Sequence, residues 1–230
     1  MVIGNGMIAK RFSFYTDDNR WLVFASGVSH SLENSPEEFE REKTLLENSI
    51  ENNPGKTLVY FSTCSIYDPS LHHSAYVLHK LRMEELITTS ASSYIIFRVS
   101  NPVGKTNNHH TVLNFFVEHI VTQTFFTVWK YASRNLLDID DMFALCHHIM
   151  QGSRQLNKIL NVANPVIYPV TAIIEAIETH VNKKGNFVLA EKGNSPLIDT
   201  SEIQPLFNQL HIEFGQLYLP KLLQKYFPKP

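Results

Sequence analysis

Residues 58–65 read LVYFSTCS, a run of four apolar residues that passes directly into four small, mostly polar ones. A short apolar run bounded in this way is typical of a strand that is buried on both faces of a parallel sheet. Apolar runs alternate with helical patterns along the chain. Further extended segments are predicted at 21–25, 94–97, 125–129 and 158–162, and helices at 35–52, 75–89, 111–123, 140–151 and 170–181. This alternation predicts an α/β fold with a parallel sheet that helices cover on both sides.

The composition is that of a soluble globular protein. Of the 230 residues, 43% are hydrophobic and 18% are charged, and the net charge of −2 gives no electrostatic case for nucleic-acid binding. The apolar runs are too short for a membrane span, and residues 1–6 lack the features of a signal peptide. Because Cys64 and Cys146 do not form a disulfide framework, we expect a reduced, cytoplasmic protein without nucleic-acid or membrane partners.

A glycine-rich turn lies at the start of the chain. Gly4, Gly6 and Ala9 have the spacing G-x-G-x-x-A, between a short apolar stub and a helix predicted from Met7 to Phe14. Such a turn brings backbone N–H groups and a helix N-terminus up to a pyrophosphate. A plain strand-to-helix turn has the same spacing, so this motif alone leaves both interpretations open.

Tyr76 and Lys80 form the second candidate motif. They lie four residues apart on the helix predicted at 75–89, which places both side chains on one face. A tyrosine has an ordinary pKa near 10, and a neighbouring ammonium would favour the phenolate. Thr63 lies thirteen residues upstream at a strand end, where its hydroxyl could bind the same substrate oxygen. The three residues together predict a proton-transfer site beside a hydride carrier, although Y-x-x-x-K also occurs by chance on helices.

Four segments follow one another in a defined order. They are STCSIY at residues 62–67, RVSNPVG at 98–104, RNLLDIDD at 134–141 and KILNVA at 158–163. Together with Tyr76 and Lys80, they resemble the extended short-chain dehydrogenase/reductase family, which comprises nucleotide-sugar epimerases, dehydratases and ketoreductases. The resemblance implies a reduced Rossmann-type, doubly wound parallel sheet with a small C-terminal substrate lobe. We expect the shortened dinucleotide-binding domain at 1–165 and the substrate-side region at 166–230, with interleaved elements.

The resemblance also implies roles for single residues. Tyr76 would be the acid/base, Lys80 would bind the nicotinamide ribose of NAD or NADP and lower the tyrosine pKa, and Thr63 would hold the reacting oxygen. For Ser29 and His30, a place as ordinary loop residues stays open. The remaining expected contacts are with the cofactor, from Gly4, Gly6, Ala9 and Ser26, and with the nucleotide sugar, from Ser29, His30, Asn101 and Arg134.

The nucleotide-binding half departs from the family pattern. Residues 15–20 alone link the first helix to the strand at 21–25, so a strand–helix–strand piece is missing. The acidic residue that binds the adenosine ribose in the family, about 20 residues after the glycines, is missing as well. Asp17 and Asp18 precede a strand and do not follow one, so neither is assigned this role. We expect a much reduced adenine pocket, which puts cofactor binding itself in question.

Other residues narrow the chemistry. Thr63 is followed by Cys64 and Ser65, where the family's dehydratases carry acidic residues, so dehydration is the least favoured reaction. Cys64 itself is either a second acid or, as we favour, a small buried residue. The adjacent histidine pairs have no carboxylate or cysteine partner at ligand spacing, and no metal site is expected. These pairs are at 72–73, 109–110 and 147–148.

The sequence therefore predicts an NAD(P)-dependent reductase or epimerase that acts on a nucleotide-activated sugar, for example in polysaccharide biosynthesis. The alternative is a non-catalytic relative that binds a nucleotide or nucleotide sugar and has lost efficient cofactor binding. Family members often dimerise through the helices that correspond to 36–52 and 75–89, and whether this chain forms such a homodimer stays open. The identity of the sugar, the choice between NAD and NADP, and the choice between reduction and epimerisation stay open.

Overall fold

In the computed structural model, which describes residues 1–152 and 156–228, the chain folds around a five-stranded parallel sheet. The last two residues of the expected C-terminal region lie outside the described residues. The strands are β1 (Val2–Ile3), β2 (Trp21–Phe24), β3 (Thr57–Thr63), β4 (Tyr94–Val99), β5 (Pro102–Val103), β6 (Phe126–Trp129), β7 (Ser133–Arg134), β8 (Leu137–Asp138), β9 (Lys158–Val162), β10 (Tyr168–Pro169) and β11 (Phe187–Ala190). The helices are α1 (Met7–Arg11), α2 (Pro36–Glu51), α3 (Ala75–Ser90), α4 (Val112–Thr122), α5 (Ile139–Gln151), α6 (Val170–Val181), α7 (Gln204–Gln209) and α8 (Tyr218–Tyr226).

The strand order of the main sheet is β1-β2-β3-β4-β9, and every neighbouring pair is parallel. In register, Val59 at the centre pairs with Val23 on one side and Ile95 on the other. The expected Rossmann-type α/β fold is therefore confirmed. β1 lies at the edge of the sheet, with β2 as its neighbour.

Helices cover both faces of this sheet. α2 and α3 pack one face through residues such as Leu46 and Ile87, and α1 and α5 pack the other through Phe12 and Leu145. A separate hydrophobic core forms the smaller lobe, where α4, α6 and α8 surround residues such as Ile173. This second core draws on residues from both sides of position 165, so its elements are interleaved with those of the sheet domain.

The ends of the helices follow from local sequence. The Ser35 side chain accepts a hydrogen bond from the Glu38 N–H at 3.3 Å, and Pro36 occupies the first helical position of α2, as expected. The helix expected from Met7 to Phe14 is shorter in the structure. α1 ends at Arg11, and Ser13–Tyr15 form a 3₁₀ turn. The tighter turn brings Phe12 and Tyr15, three residues apart, onto the same side, where both are fully buried.

The C-terminal helix α8 is bound to the start of α5 by charged groups. The Lys225 ammonium lies 2.7 Å from carboxylate oxygens of Asp138 and Asp140, and the Tyr226 hydroxyl donates to Asp138 at 2.7 Å. Arg11 of α1 donates to the same Asp140 at 2.5 Å. The acidic segment after β8 thus ties the chain's first and last helices to the sheet domain.

The turn after β1 gives a first prediction. Gly4 has a φ of +123°, and a Cβ there would lie 2.3 Å from the backbone oxygen of Ala25, whereas a Cβ at Gly6 would meet nothing within 4 Å. We expect Gly4→Ala to lower the free energy of unfolding by about 1–3 kcal/mol, because strain and overlap act together. Gly6→Ala should cost under about 1 kcal/mol. Urea unfolding curves measure both; equal losses in the two variants would contradict this account of the turn.

Candidate active site

The carboxyl ends of the parallel strands meet along one edge of the sheet, and the candidate residues collect there. Gly4 follows β1, Ser26 follows β2, Thr63 ends β3 and Asn101 follows β4. Because ligands of such sheets bind beyond the carboxyl ends of the strands, this edge is the candidate site. Gly104, which follows β5, packs closely against the start of α1, since a Cβ at Gly104 would lie 2.7 Å from the Met7 sulfur.

The structure brings Tyr76, Lys80 and Thr63 together. All three side chains are buried, with 7%, 2% and 6% of their surface exposed. The Thr63 hydroxyl lies close enough to the Tyr76 phenol to lower its pKa, and the Lys80 Nζ atom lies 6.0 Å from the centre of the Tyr76 ring. The expected placement of the tyrosine and lysine on one face of α3 therefore has its counterpart in the structure.

Lys80 makes its closest contact with a residue that sequence patterning did not identify. Its Nζ donates to Glu42 Oε1 at 2.9 Å and to the Tyr60 hydroxyl at 3.1 Å. Glu42, on α2, has no solvent exposure and accepts three more hydrogen bonds. These come from the Val28 N–H at 2.6 Å, the Tyr60 hydroxyl at 2.6 Å and, at 3.0 Å, the His79 ring. The ammonium that was expected to bind a ribose is thus paired with a buried carboxylate.

The pKa values of the pair follow from this geometry. Burial alone would raise the pKa of Glu42, but the Lys80 ammonium and the hydrogen bonds from His79 and Tyr60 outweigh it and hold the pKa well below its ordinary value. Burial lowers the pKa of Lys80, and Glu42 opposes that shift. Glu42 is therefore ionised near neutral pH, with Lys80 as one of its hydrogen-bond donors.

The effect of Lys80 on Tyr76 differs from the expectation. Burial raises the pKa of Tyr76 to about 12, the hydrogen bond from Thr63 lowers it in part, and the negative charge of Glu42 raises it further. The expectation that Lys80 lowers the pKa of Tyr76 below its ordinary value is therefore wrong. The physical reason is that burial disfavours the charged phenolate, while Glu42, which is paired with Lys80, adds a negative charge nearby.

A second buried pair continues along the same face of α3. Glu84 lies four residues beyond Lys80 and accepts hydrogen bonds from Arg98 Nε at 2.9 Å and Nη2 at 2.5 Å, while the Ser62 hydroxyl donates to it at 2.5 Å. Cys64 donates to the Arg98 backbone oxygen at 3.1 Å, and burial raises the pKa of its thiol to about 12. Such a thiol is a poor acid near neutral pH, which favours its interpretation as a small buried residue.

Arg134 and Asn101 have different surroundings. Arg134 is half-buried, donates to the Ser133 backbone oxygen at 2.8 Å and has no salt bridge to a carboxylate among the described residues. Burial lowers the pKa of its guanidinium, and Asp68 opposes this. Asn101, with a φ of +26°, uses its side-chain amide to bind the Asn135 backbone oxygen at 2.8 Å. Arg134 therefore keeps donors for an anionic ligand, whereas Asn101 holds the loop after β4.

The loop after β2 carries the other expected substrate residues. The Ser26 backbone oxygen accepts from Arg41 at 3.4 Å, and the His30 ring stacks on that of His110 with 4.5 Å between the ring centres. Ser29 is exposed. Among the described residues, no three His, Cys, Asp or Glu side chains are grouped so that they could hold a metal ion. Within the same part of the chain, no helix has the length and apolar character needed to cross a membrane.

The residues fit one half of a dinucleotide better than the other. Gly6 is the N-cap of α1, no side chain caps this helix, and the space beside Gly6 is open. The backbone here is open to the approach of a phosphate group. For the adenosine half, the strand that would carry the ribose-binding carboxylate is absent from the described residues, since β1 is an edge strand.

One signal in the sequence could have revealed Glu42. The buried face of α2 contains Phe39, Leu46 and Ser49, and Glu42 lies on that same face. A carboxylate in an apolar stripe needs a buried partner, because an unpaired charge is costly in the interior. The identity of that partner could not be read from spacing, because Lys80 lies 38 positions away.

The fold and the site together define a Rossmann-type α/β protein with a threonine, tyrosine and lysine at the nucleotide-binding edge of its sheet. The sequence profile of the NAD dependent epimerase/dehydratase family matches residues 25–163. The chain belongs to this family. The match begins after the glycine turn, so the shortened part of the chain lies outside it. Among curated proteins, no sequence matches this chain.

Solved structures of low sequence identity share the fold. The Bordetella bronchiseptica enzyme WbmG in complex with NAD and UDP has a TM-score of 0.70 at 13% identity, over 97% of this chain and 77% of its own. UDP-glucuronic acid 4-epimerase from Bacillus cereus has a TM-score of 0.72 at 13% identity, over 94% and 76%. RMD from Pseudomonas aeruginosa, complexed with NADPH, has a TM-score of 0.70 at 13% identity, over 98% and 86%.

The Lys80–Glu42 contact leaves no room for a side chain at Gly27. A Cβ there would lie 2.5 Å from Lys80 Nζ and 2.8 Å from Glu42 Oε1. We expect Gly27→Ala to lower the free energy of unfolding by about 1–3 kcal/mol, as overpacking does in cores. Gly152→Ala is the control, because its Cβ would make only an ordinary contact, 3.5 Å from the Ile149 oxygen. If urea unfolds Gly27→Ala and Gly152→Ala at the same midpoint, the close packing described here is incorrect.

Proposed function

We propose that this protein is an NAD(P)-dependent reductase or epimerase of nucleotide-activated sugars, with Tyr76 as the acid/base. The observation that carries the proposal is the joint burial of Tyr76, Thr63 and Lys80 at the carboxyl edge of the sheet. Proton transfer needs an ionisable group beside the reacting oxygen, and the burial of Tyr76 supports this role because a buried site excludes water. The nicotinamide, when bound, supplies or accepts the hydride.

The ionisation of Tyr76 favours one direction of the chemistry. With a pKa of about 12, its hydroxyl is protonated near neutral pH and is ready to donate. Reduction of a ketone needs a hydride at carbon and a proton at oxygen. Tyr76 gives this proton to the developing alkoxide, Thr63 binds the same oxygen, and the tyrosinate regains a proton from solvent. We therefore favour ketoreduction over epimerisation, which must begin by removing a hydroxyl proton.

The nucleotide sugar is proposed from charge and from similarity. Arg134 is a half-buried guanidinium whose donors are not used by a carboxylate among the described residues, and guanidinium groups match phosphate oxygens well. The Bordetella bronchiseptica enzyme WbmG was solved with UDP, and the Bacillus cereus enzyme with UDP-glucuronic acid. A diphosphate at Arg134 would place the attached sugar at the strand edge. Homodimerisation through α2 and α3 stays a prediction.

A second candidate function rests on two different observations. The ammonium of Lys80 is occupied by Glu42, and β1 lies at the sheet edge where the adenosine-binding strands would continue. Both features weaken cofactor binding. They favour a relative that keeps the nucleotide-sugar site and does not catalyse hydride transfer.

Substitution of the tyrosine tests the catalytic proposal. Tyr76→Phe should reduce the turnover of keto-sugar nucleotides with NADH or NADPH by at least about 100-fold, because the proton donor is lost, while the melting temperature stays close to that of the unchanged protein. Tyr131→Phe is the matched control, since Tyr131 is exposed and bonded to Glu191. Unreduced turnover in Tyr76→Phe would exclude this residue as the acid.

Binding of a truncated cofactor tests the shortened half and separates the two functions. If the adenosine contributes little, reduced nicotinamide mononucleotide should bind within about tenfold of NADH in calorimetric titration, a difference of about 1.4 kcal/mol. A much larger preference for NADH would reveal an adenosine site and contradict the prediction. If neither ligand binds at millimolar concentration while UDP does, the non-catalytic function is correct.

A further inference from the structure

Glu42 is a charged group in the core that the proposed chemistry does not use. Its carboxylate is fully buried and binds four donors on three other parts of the chain. They are the Val28 N–H after β2, the Tyr60 hydroxyl on β3, and His79 and Lys80 on α3. Burial of a carboxylate costs several kcal/mol unless such partners compensate it.

A glutamate serving only packing would not need this arrangement. An apolar side chain of similar size would often fill such a position with less loss of free energy. The buried ion pair therefore points to a second role for Glu42. Gly27 adds to this, because even a methyl group on it would collide with both Lys80 Nζ and Glu42 Oε1. The backbone after β2 is thus fitted closely around the pair, directly beside Tyr76.

We propose that Glu42 is a positioning residue, which fixes Lys80 and the Gly27–Val28 backbone beside Tyr76 and compensates the lysine charge there. It acts through Lys80 and does not touch the substrate. The inference rests on the proposed role of Tyr76 as the proton donor. By compensating the ammonium, Glu42 helps to hold the pKa of Tyr76 above its ordinary value and so disfavours the phenolate.

The charged groups around Tyr76 and Lys80 define the direction in which the pKa of Tyr76 should shift when Glu42 is replaced. Tyr76 faces Lys80 of its own helix, Glu42 of α2 and Cys64 after β3. The charges of Glu84 and Arg41 also act on the pKa of Lys80. Removal of the Glu42 charge leaves Tyr76 near either an uncompensated ammonium or a neutral lysine. In both cases a negative neighbour is lost, so the pKa of Tyr76 must fall toward its ordinary value near 10.

The experiment replaces Tyr76 by 3,5-difluorotyrosine and follows its ionisation by fluorine NMR, because the fluorine atoms bring ionisation into a milder pH range. In Glu42→Gln, the pKa of this residue should fall relative to the protein with Glu42. Glu84→Gln is the control: it removes another buried glutamate from an ion pair, with Arg98, and should leave the pKa in place. No shift in Glu42→Gln, or the same shift in both variants, would overturn the proposal.

The unsubstituted protein provides a second measurement in case Glu42→Gln does not fold. The carboxyl carbon of Glu42 should report an ionised group well below the ordinary pKa of about 4.3 in a carbon NMR titration. Because this pKa is depressed by folding, its stabilising contribution is present above the ordinary pKa and is lost as the pH falls. Ordinary titration of Glu42 would overturn the proposal. Neither measurement depends on turnover or cofactor binding, so failure of the proposed function would leave both results interpretable.

Discussion

The buried contact between Glu42 and Lys80 is the interaction on which the rest of the site depends. It joins α2 to α3 across the face of the sheet, and it binds the backbone after β2 through Val28. The desolvation of two charges is unfavourable, so the contact exists only because each remaining polar atom has a partner. This requirement fixes the helix positions more narrowly than apolar packing would, since hydrogen bonds have strict lengths and angles.

The edge position of β1 is the second constraint. In a doubly wound sheet, the ligand lies at the carboxyl ends of strands, and each half of a dinucleotide needs strands of its own. The chain keeps the strand that carries Thr63 and the helix that carries Tyr76, which are the parts that we propose to handle the reacting groups. It lacks, in the described residues, the parts that would bind adenosine. In the described residues, the dinucleotide-binding part of the sheet is therefore shortened, whereas the elements that carry Thr63 and Tyr76 are present.

Much of this fold could be predicted from the sequence, because periodic burial leaves a periodic pattern. The bounds of α2, α3, α6 and β9 follow their apolar stripes to within a residue or two. The site was less predictable. The spacing predicted that Tyr76 and Lys80 share one face of α3, but it could not show that the Lys80 ammonium pairs with Glu42. Likewise, the bond between Lys225 and Asp138 joins residues 87 positions apart, and no local pattern encodes it.

The two constraints together bear on what the site can do. A tyrosine next to a free ammonium ionises easily and can serve as a base, whereas a tyrosine next to a compensated ammonium stays protonated and serves as an acid. In this chain, the compensation is built into the core, since Glu42 has no solvent exposure and a ribose cannot reach it. A cofactor that bound here would have to use the remaining donor of Lys80 without breaking the pair. The electrostatics of the site thus favour the protonated form of Tyr76, and the shortened sheet leaves the adenosine half of a dinucleotide without strands of its own among the described residues.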